Sequence, residues 1–181
     1  MMESHEGRGV TDGPRNIILI GMPGVGKSTV GVLLAKRLGF AFLDTDILIQ
    51  VREGRSLQAI IQAHGAEEFC RIEERHILAL ALQAHVVAPG GSVVYRPKAM
   101  AHLKARGTAI HLELDLEHLK QRLGDVDARG VVIAPGQTVD TLYAERRPLY
   151  RRYADVMVAT DGLTPDQVVG RILTALAPPP G

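Results

Sequence analysis

Tryptophan is absent from this chain, and cysteine occurs once, at Cys70. A single cysteine excludes an internal disulfide framework and a cysteine-based zinc site. Aromatic residues make up only 4% of the sequence, too few for the stacking platform on which single-stranded nucleic acid binds. Charge of one sign is lacking as well: the formal net charge is +1, which gives no global attraction to nucleic acid or to an anionic membrane. No apolar run approaches the roughly 20 residues that cross a bilayer. The opening stretch MMESHEGRGVTDGPRN is polar and has no secretory h-region. These absences leave a soluble cytoplasmic α/β domain as the expectation, with loose ends at residues 1–15 and 177–181.

What is present is a regular alternation of strand and helix signals. NIILI (Asn16 to Ile20) reads as a buried strand, FAFLDTD as a second and HVVAPGG as a third. TAIHLEL and ADVMVAT supply the fourth and fifth. Between them lie helical patterns in TVGVLLAKRLG, SLQAIIQAHG, EEFCRIEERHILALALQ, PKAMAHLKARG and LEHLKQRLG, then from near Val139, and finally in TPDQVVGRILTAL. Strands alternating with helices imply a parallel sheet covered on both faces. The stretch DVDARGVVIAPGQT has no steady period and is broken by glycine and proline, so it reads as a mobile loop. Residues 16–176 are expected to form one domain. Tyr143, Tyr150 and Tyr153 recur at a spacing that puts them on a core-facing helix side. The histidines are scattered without metal-ligand spacing, and His85 and His111 read as structural or surface residues.

The sharpest local signal is GMPGVGKS, Gly21 to Ser28, which fits G-x-x-x-x-G-K-[ST] between a strand and a helix. Gly21, Gly24 and Gly26 allow backbone N–H groups to turn inward around phosphate oxygens at a helix N-terminus. The phosphate cradle is read as the whole stretch, Gly21, Met22, Pro23, Gly24, Val25, Gly26, Lys27, Ser28 and Thr29. Lys27 reaches the β- and γ-phosphates, and the Ser28 hydroxyl ligates Mg²⁺. This predicts a nucleoside triphosphate and Mg²⁺ as the bound groups. Asp44 and Asp46, in LDTDILI, are expected to alternate along a strand end onto one face of the sheet's carboxyl edge. One acid can hold Mg²⁺, and the other can take the proton of an acceptor hydroxyl.

The phosphate loop, the DTD, the Gly90-Gly91 turn and ERRPLYRRYAD occur in an order and spacing that resembles the shikimate kinase family, from about Asn16 to Leu176. The resemblance implies a three-layer P-loop fold with a five-stranded parallel sheet, helices on both faces and a mobile lid at about 124–137. It also implies transfer of the γ-phosphoryl of ATP to the 3-hydroxyl of shikimate, a step of aromatic amino acid biosynthesis, by a monomer. Carried over by position, Ser28 and Asp44 hold Mg²⁺, Asp46 meets the acceptor hydroxyls, and Arg122 lies near the adenine. Arg129 reaches the phosphates from the lid, so that Lys27, Asp46 and Arg129 form the catalytic set. Arg146 grips the substrate carboxylate, and Glu73 matches a glutamate that holds either Arg146 or a neighbouring loop. Of the basic residues beside it, Arg147 or Arg152 is read as solvated.

The departures from the family pattern gather on the acceptor side. In GAEEFCRIE the position of a second carboxylate-gripping arginine is Cys70. Arg71 does not replace it, because one helical step turns a side chain by about 100°. Gly90-Gly91-Ser92 stands where three glycines are usual, and Gly130 follows Arg129 in place of a proline. One charged hydrogen bond fewer is worth roughly 1.5–3 kcal/mol, or about ten- to a hundredfold in shikimate binding. The acceptor wall is thus expected to comprise Asp46, Cys70, Gly90, Gly91, Ser92 and Arg146. Three readings follow: a kinase of shikimate, a kinase of another hydroxylated metabolite, and a nucleotide-dependent sensor without phosphotransfer.

Overall fold

The computed structural model describes residues 15–123 and 137–177. Five parallel strands form one sheet in the order β2-β3-β1-β4-β5. They span Asn16–Ile20 (β1), Ala41–Asp44 (β2), His85–Ala88 (β3), Gly107–Glu113 (β4) and Val156–Ala159 (β5). All five residues of the central β1 are buried, whereas the edge strands β2 and β5 are largely part-exposed. A parallel strand covered on both faces needs an unbroken apolar run, which NIILI supplies.

Among the described residues seven α-helices complete the layers: Lys27–Leu38 (α1), Thr45–Glu53 (α2), Leu57–Leu78 (α3), Pro97–Ala105 (α4), Leu116–Leu123 (α5), Val139–Tyr153 (α6) and Pro165–Leu176 (α7). The β1–β2 crossover runs one way across the sheet and the later crossovers the other. Right-handed connections therefore place α1 on one face and α3 to α6 on the opposite face. In keeping with this, α1 packs on α7, while α3 packs on α4 and both α4 and α6 on β4. The main core gathers Ile18, Leu19, Val86, Val87, Ile110 and Leu112 from the sheet with Leu34, Met100 and Ile172 from the helices. Tyr150 is buried in that core, and Tyr143 and Tyr153 pack partly against it, as their spacing predicts. A smaller, separate cluster of Ile49, Ile60, Phe69, Cys70 and Ile72 lies under α2 and α3.

Two sequence expectations need correction. β2 stops at Asp44, so Asp46 is a first-turn residue of α2 and not a strand residue. The reason is local: Asp44 Oδ1 accepts the backbone N–H groups of Asp46 and Ile47 and caps a helix that Gly54 terminates. The two helical patterns SLQAIIQAHG and EEFCRIEERHILALALQ join as α3, bent at Gly65, whose φ of 81° and ψ of 166° are not helical. Arg147 pairs with Glu113, its Nε and guanidinium lying 3.0 and 2.9 Å from that carboxylate, which Arg151 also meets at 2.7 Å. Arg152 is exposed, as expected. Arg129, Gly130 and most of the expected lid lie outside the described residues, as do residues 1–14 and 178–181 of the expected tails.

Candidate active site

The carboxyl edge of the sheet carries two cavities. The first, about 360 Å³, is lined by Pro23, Gly24, Gly26, Lys27, Ser28, Thr29, Asp44 and Asp46, with Ala88, Pro89 and Leu123. Its floor is the turn between β1 and α1, where Gly26 caps the helix at φ 105°, a conformation that disfavours any residue with a Cβ. This leaves the first N–H groups of α1 unpaired and facing the cavity, the arrangement that receives phosphate. Lys27 Nζ donates to the carbonyls of Gly21 and Met22 at 2.8 and 3.0 Å, so its ammonium is folded over the loop. Burial pulls its pKa down to about 8, against the raising effect of Asp46.

Across the cavity, Ser28 Oγ donates to Asp44 Oδ2 at 2.6 Å. A hydroxyl and a carboxylate in contact are a hard-oxygen pair of the kind Mg²⁺ prefers, with its remaining positions left to water and phosphate. Arg122, at the end of α5, donates to the Val25 carbonyl at 3.2 Å and so borders the same loop. Asp46 is pushed up to about 6 by burial first and by the neighbouring Asp44 second. A carboxyl with its pKa near neutrality is matched to taking up a hydroxyl proton.

The acceptor side is built by α3, the turn after β3 and α6. Gly90 leaves a narrow gap: a Cβ there would stand 2.5 Å from Glu73 Oε1 and 2.8 Å from Asp46 Oδ1. These two carboxyls therefore converge where only glycine fits. Glu73 is fully buried, and burial raises its pKa to about 7. Its Oε2 accepts from Ser92 Oγ at 2.7 Å, whereas its Oε1 has no hydrogen-bond partner. Glu73 thus holds the 3₁₀ turn Gly91–Tyr95, one of its two expected roles.

Gly91 lies between the two cavities: a Cβ there would be 3.0 Å from Pro23 Cδ and 3.1 Å from Arg146 Nη1. Arg146 is 2% exposed on α6, and Tyr150 one turn on donates to the Gly91 carbonyl at 2.7 Å. The second cavity, about 290 Å³, is lined by Arg146, Cys70, Tyr95, Glu67, Glu145 and neighbours. Cys70 is 7% exposed, and burial raises its thiol pKa, so it is a small apolar filler and not a nucleophile. Beside it, Arg96 is tied to Glu67 by a 2.8 Å ion pair and a 3.1 Å bond to its carbonyl. Tyr95 and Arg96 escaped the sequence reading because they follow the glycine turn in a stretch with no motif. Among the described residues an exposed group, Asp115, His118 and Asp161, also draws together. Its contacts, Asp115 N–H and His118 Nδ1 on Asp161 Oδ1, close the turns after β4 and β5.

The structure thus brings Lys27, Ser28, Asp44 and Asp46 into one cavity, and Cys70 and Arg146 into the next, with Gly90, Gly91 and Ser92 between. The family model described as shikimate kinase matches residues 23–177. The shikimate kinase of Mycobacterium tuberculosis is 40% identical over 166 residues, covering 90% of this chain and 93% of that protein. The shikimate kinase of Francisella tularensis subsp. novicida is 37% identical over 167 residues, 90% of this chain and 94% of its own. The solved structure of shikimate kinase from Acinetobacter baumannii in complex with shikimate superposes with a TM-score of 0.83 at 31% identity, covering 90% and 93% of the two chains.

Proposed function

The chain belongs to the shikimate kinase family, and we propose that it transfers the γ-phosphoryl of ATP to the 3-hydroxyl of shikimate with the residues gathered at its two cavities. The observation that carries this reading is the convergence of Asp46, beside the phosphate loop, with the buried wall of Glu73, Ser92 and Arg146 across Gly90 and Gly91. The loop Gly21–Thr29 cradles the triphosphate, Arg122 borders the adenine, and Arg146 takes the shikimate carboxylate. Ser28 and Asp44 hold Mg²⁺, which when bound neutralises charge on the β- and γ-phosphates.

Asp46 orients the acceptor hydroxyl and takes its proton as the oxygen bonds to the γ-phosphorus. The bond to the bridging oxygen breaks, and ADP leaves. Lys27, released from the Gly21 and Met22 carbonyls, turns its ammonium to the transferring group, and Arg129 adds a second cation. Such a reaction asks the protein chiefly for position and positive charge. Residues 16–176 act as one domain, in a cytoplasmic monomer that needs neither nucleic acid nor membrane. Among the described residues no helix is long and apolar enough to cross a membrane.

The test is ADP release from MgATP with and without millimolar shikimate. Release well above the acceptor-free background is expected, and release equal to that background sinks the assignment. A second reading, an acceptor less anionic than shikimate, is favoured by one observation: the second cavity is lined by the uncharged Cys70 where a second cation was expected, with Glu145 beside Arg146. The same assay run over neutral polyols and cyclitols separates the two.

A further inference from the structure

Tyr95 ends the 3₁₀ turn, and its ring stands against Arg146 in the second cavity. Arg146 Nε donates to the Tyr95 hydroxyl oxygen at 3.0 Å, and the guanidinium carbon lies 5.0 Å from the ring centroid. Glu145 lines the same cavity, and its carboxylate acts on the hydroxyl to raise its pKa, burial being the larger cause. Glu145 is exposed at the cavity rim, where Gln137 Nε2 also donates to it at 2.7 Å. The Tyr95 hydroxyl therefore accepts from a buried cation and keeps its single proton to donate. Accepting a charge-assisted hydrogen bond polarises a hydroxyl and makes it a better donor in turn. An anion entering beside Arg146 meets that donor, with the Glu145 carboxylate on the same cavity lining as a competitor for it. Cys70, small and uncharged, adds no further cation to that lining.

We propose that Tyr95 determines acceptor specificity: its hydroxyl, which accepts from Arg146, donates its own proton to the acceptor carboxylate, so that Tyr95 and Arg146 together form the carboxylate site. The proposal rests on the reading of Arg146 as the group that takes that carboxylate. It assigns Glu145, on the same cavity lining, the part of an internal carboxylate that competes with the ligand for that donor. The remaining acid of the wall, Glu67, is already matched by Arg96 and adds little repulsion.

The test compares steady-state kinetics of the full chain, Tyr95→Phe, Glu145→Gln and the double variant, with shikimate and with its methyl ester. Tyr95→Phe should raise the shikimate KM about five- to thirtyfold, as loss of one hydrogen bond to a charged group does. Its kcat and ATP KM should stay within about twofold, and its KM for the ester should not move. Glu145→Gln should lower the shikimate KM about two- to fivefold, and that gain should vanish in the double variant. Unchanged shikimate KM in Tyr95→Phe, or an equal rise with the ester, overturns the role of Tyr95 while the acceptor reading stands. Should Tyr95→Phe fold poorly, a Glu145→Gln variant with no gain overturns it independently. Absence of shikimate turnover in the wild type overturns the acceptor reading, and the Tyr95 role with it.

Discussion

The phosphate loop leaves β1, whose residues are all buried at the centre of the sheet, and enters α1, which packs on both the sheet and α7. The acceptor wall hangs instead from α3, a helix bent at Gly65 and seated on its own small cluster of Ile49, Ile60, Phe69, Cys70 and Ile72. On the first side Lys27, Ser28, Asp44 and Arg122 each make a hydrogen bond in or beside the loop. On the second, a buried carboxyl, Glu73, has one oxygen on Ser92 and the other on nothing. On the proposed reading, the chemistry common to any phosphoryl acceptor is built into the main core. Selectivity for the acceptor then falls to a lighter substructure, where Cys70 packs in a cluster separate from that core.

Substitutions on the two sides should therefore fail in different ways. Lys27→Ala should lower kcat about a thousandfold with any acceptor, because it removes charge from the transferring group itself. A loss confined to one acceptor would contradict its place on the nucleotide side. Asp46→Asn should cost about a hundredfold or more in kcat, the usual worth of a positioned base. ATP binding, followed by titration with a nonhydrolysable analogue, should be unchanged in that variant.

Smaller effects are expected from Glu73. Ser92→Ala strips its Oε2 of a partner and should lower stability by about 1–3 kcal/mol, read by denaturant unfolding. A midpoint equal to wild type would show that another donor takes over. Glu73 also makes the acceptor side sensitive to pH. Its folded pKa, about 7, lies above the ordinary 4.5, so the folded chain binds a proton that the unfolded chain releases. That contribution to stability is complete below the lower value and is lost as pH rises through the higher one. The melting midpoint of wild type should hence fall relative to Glu73→Gln between about pH 5 and pH 8. Parallel profiles would mean that Glu73 is ionised throughout.

The same contrast governs what could be read from sequence. The phosphate loop is legible because its chemistry is contiguous: glycines, Lys27 and Ser28 lie within eight residues of one strand–helix junction. The five strands and the covered parallel sheet follow from apolar runs alternating with helical patterns, whereas the strand order leaves no such mark. Asp46 lines the cavity of the phosphate loop, but from a helix and not a strand. Strand alternation and helix capping both put two acids at that spacing, and only the Gly54 stop distinguishes them. Contacts between distant segments leave no such trace. Glu113 anchoring Arg147, Ser92 closing on Glu73 and Tyr95 reaching Arg146 join residues 34, 19 and 51 positions apart. Each depends on packing that no local pattern encodes.

Restoring a cation at the one altered helix position tests the separation of the two sides most directly. Cys70→Arg and wild type should be assayed together, varying shikimate at saturating MgATP and then MgATP at saturating shikimate. The shikimate KM of the variant should fall about tenfold or more, the worth of one charged hydrogen bond, with the KM for ATP within about twofold. A shikimate KM that does not move, or a shift of similar size for ATP, would contradict the account.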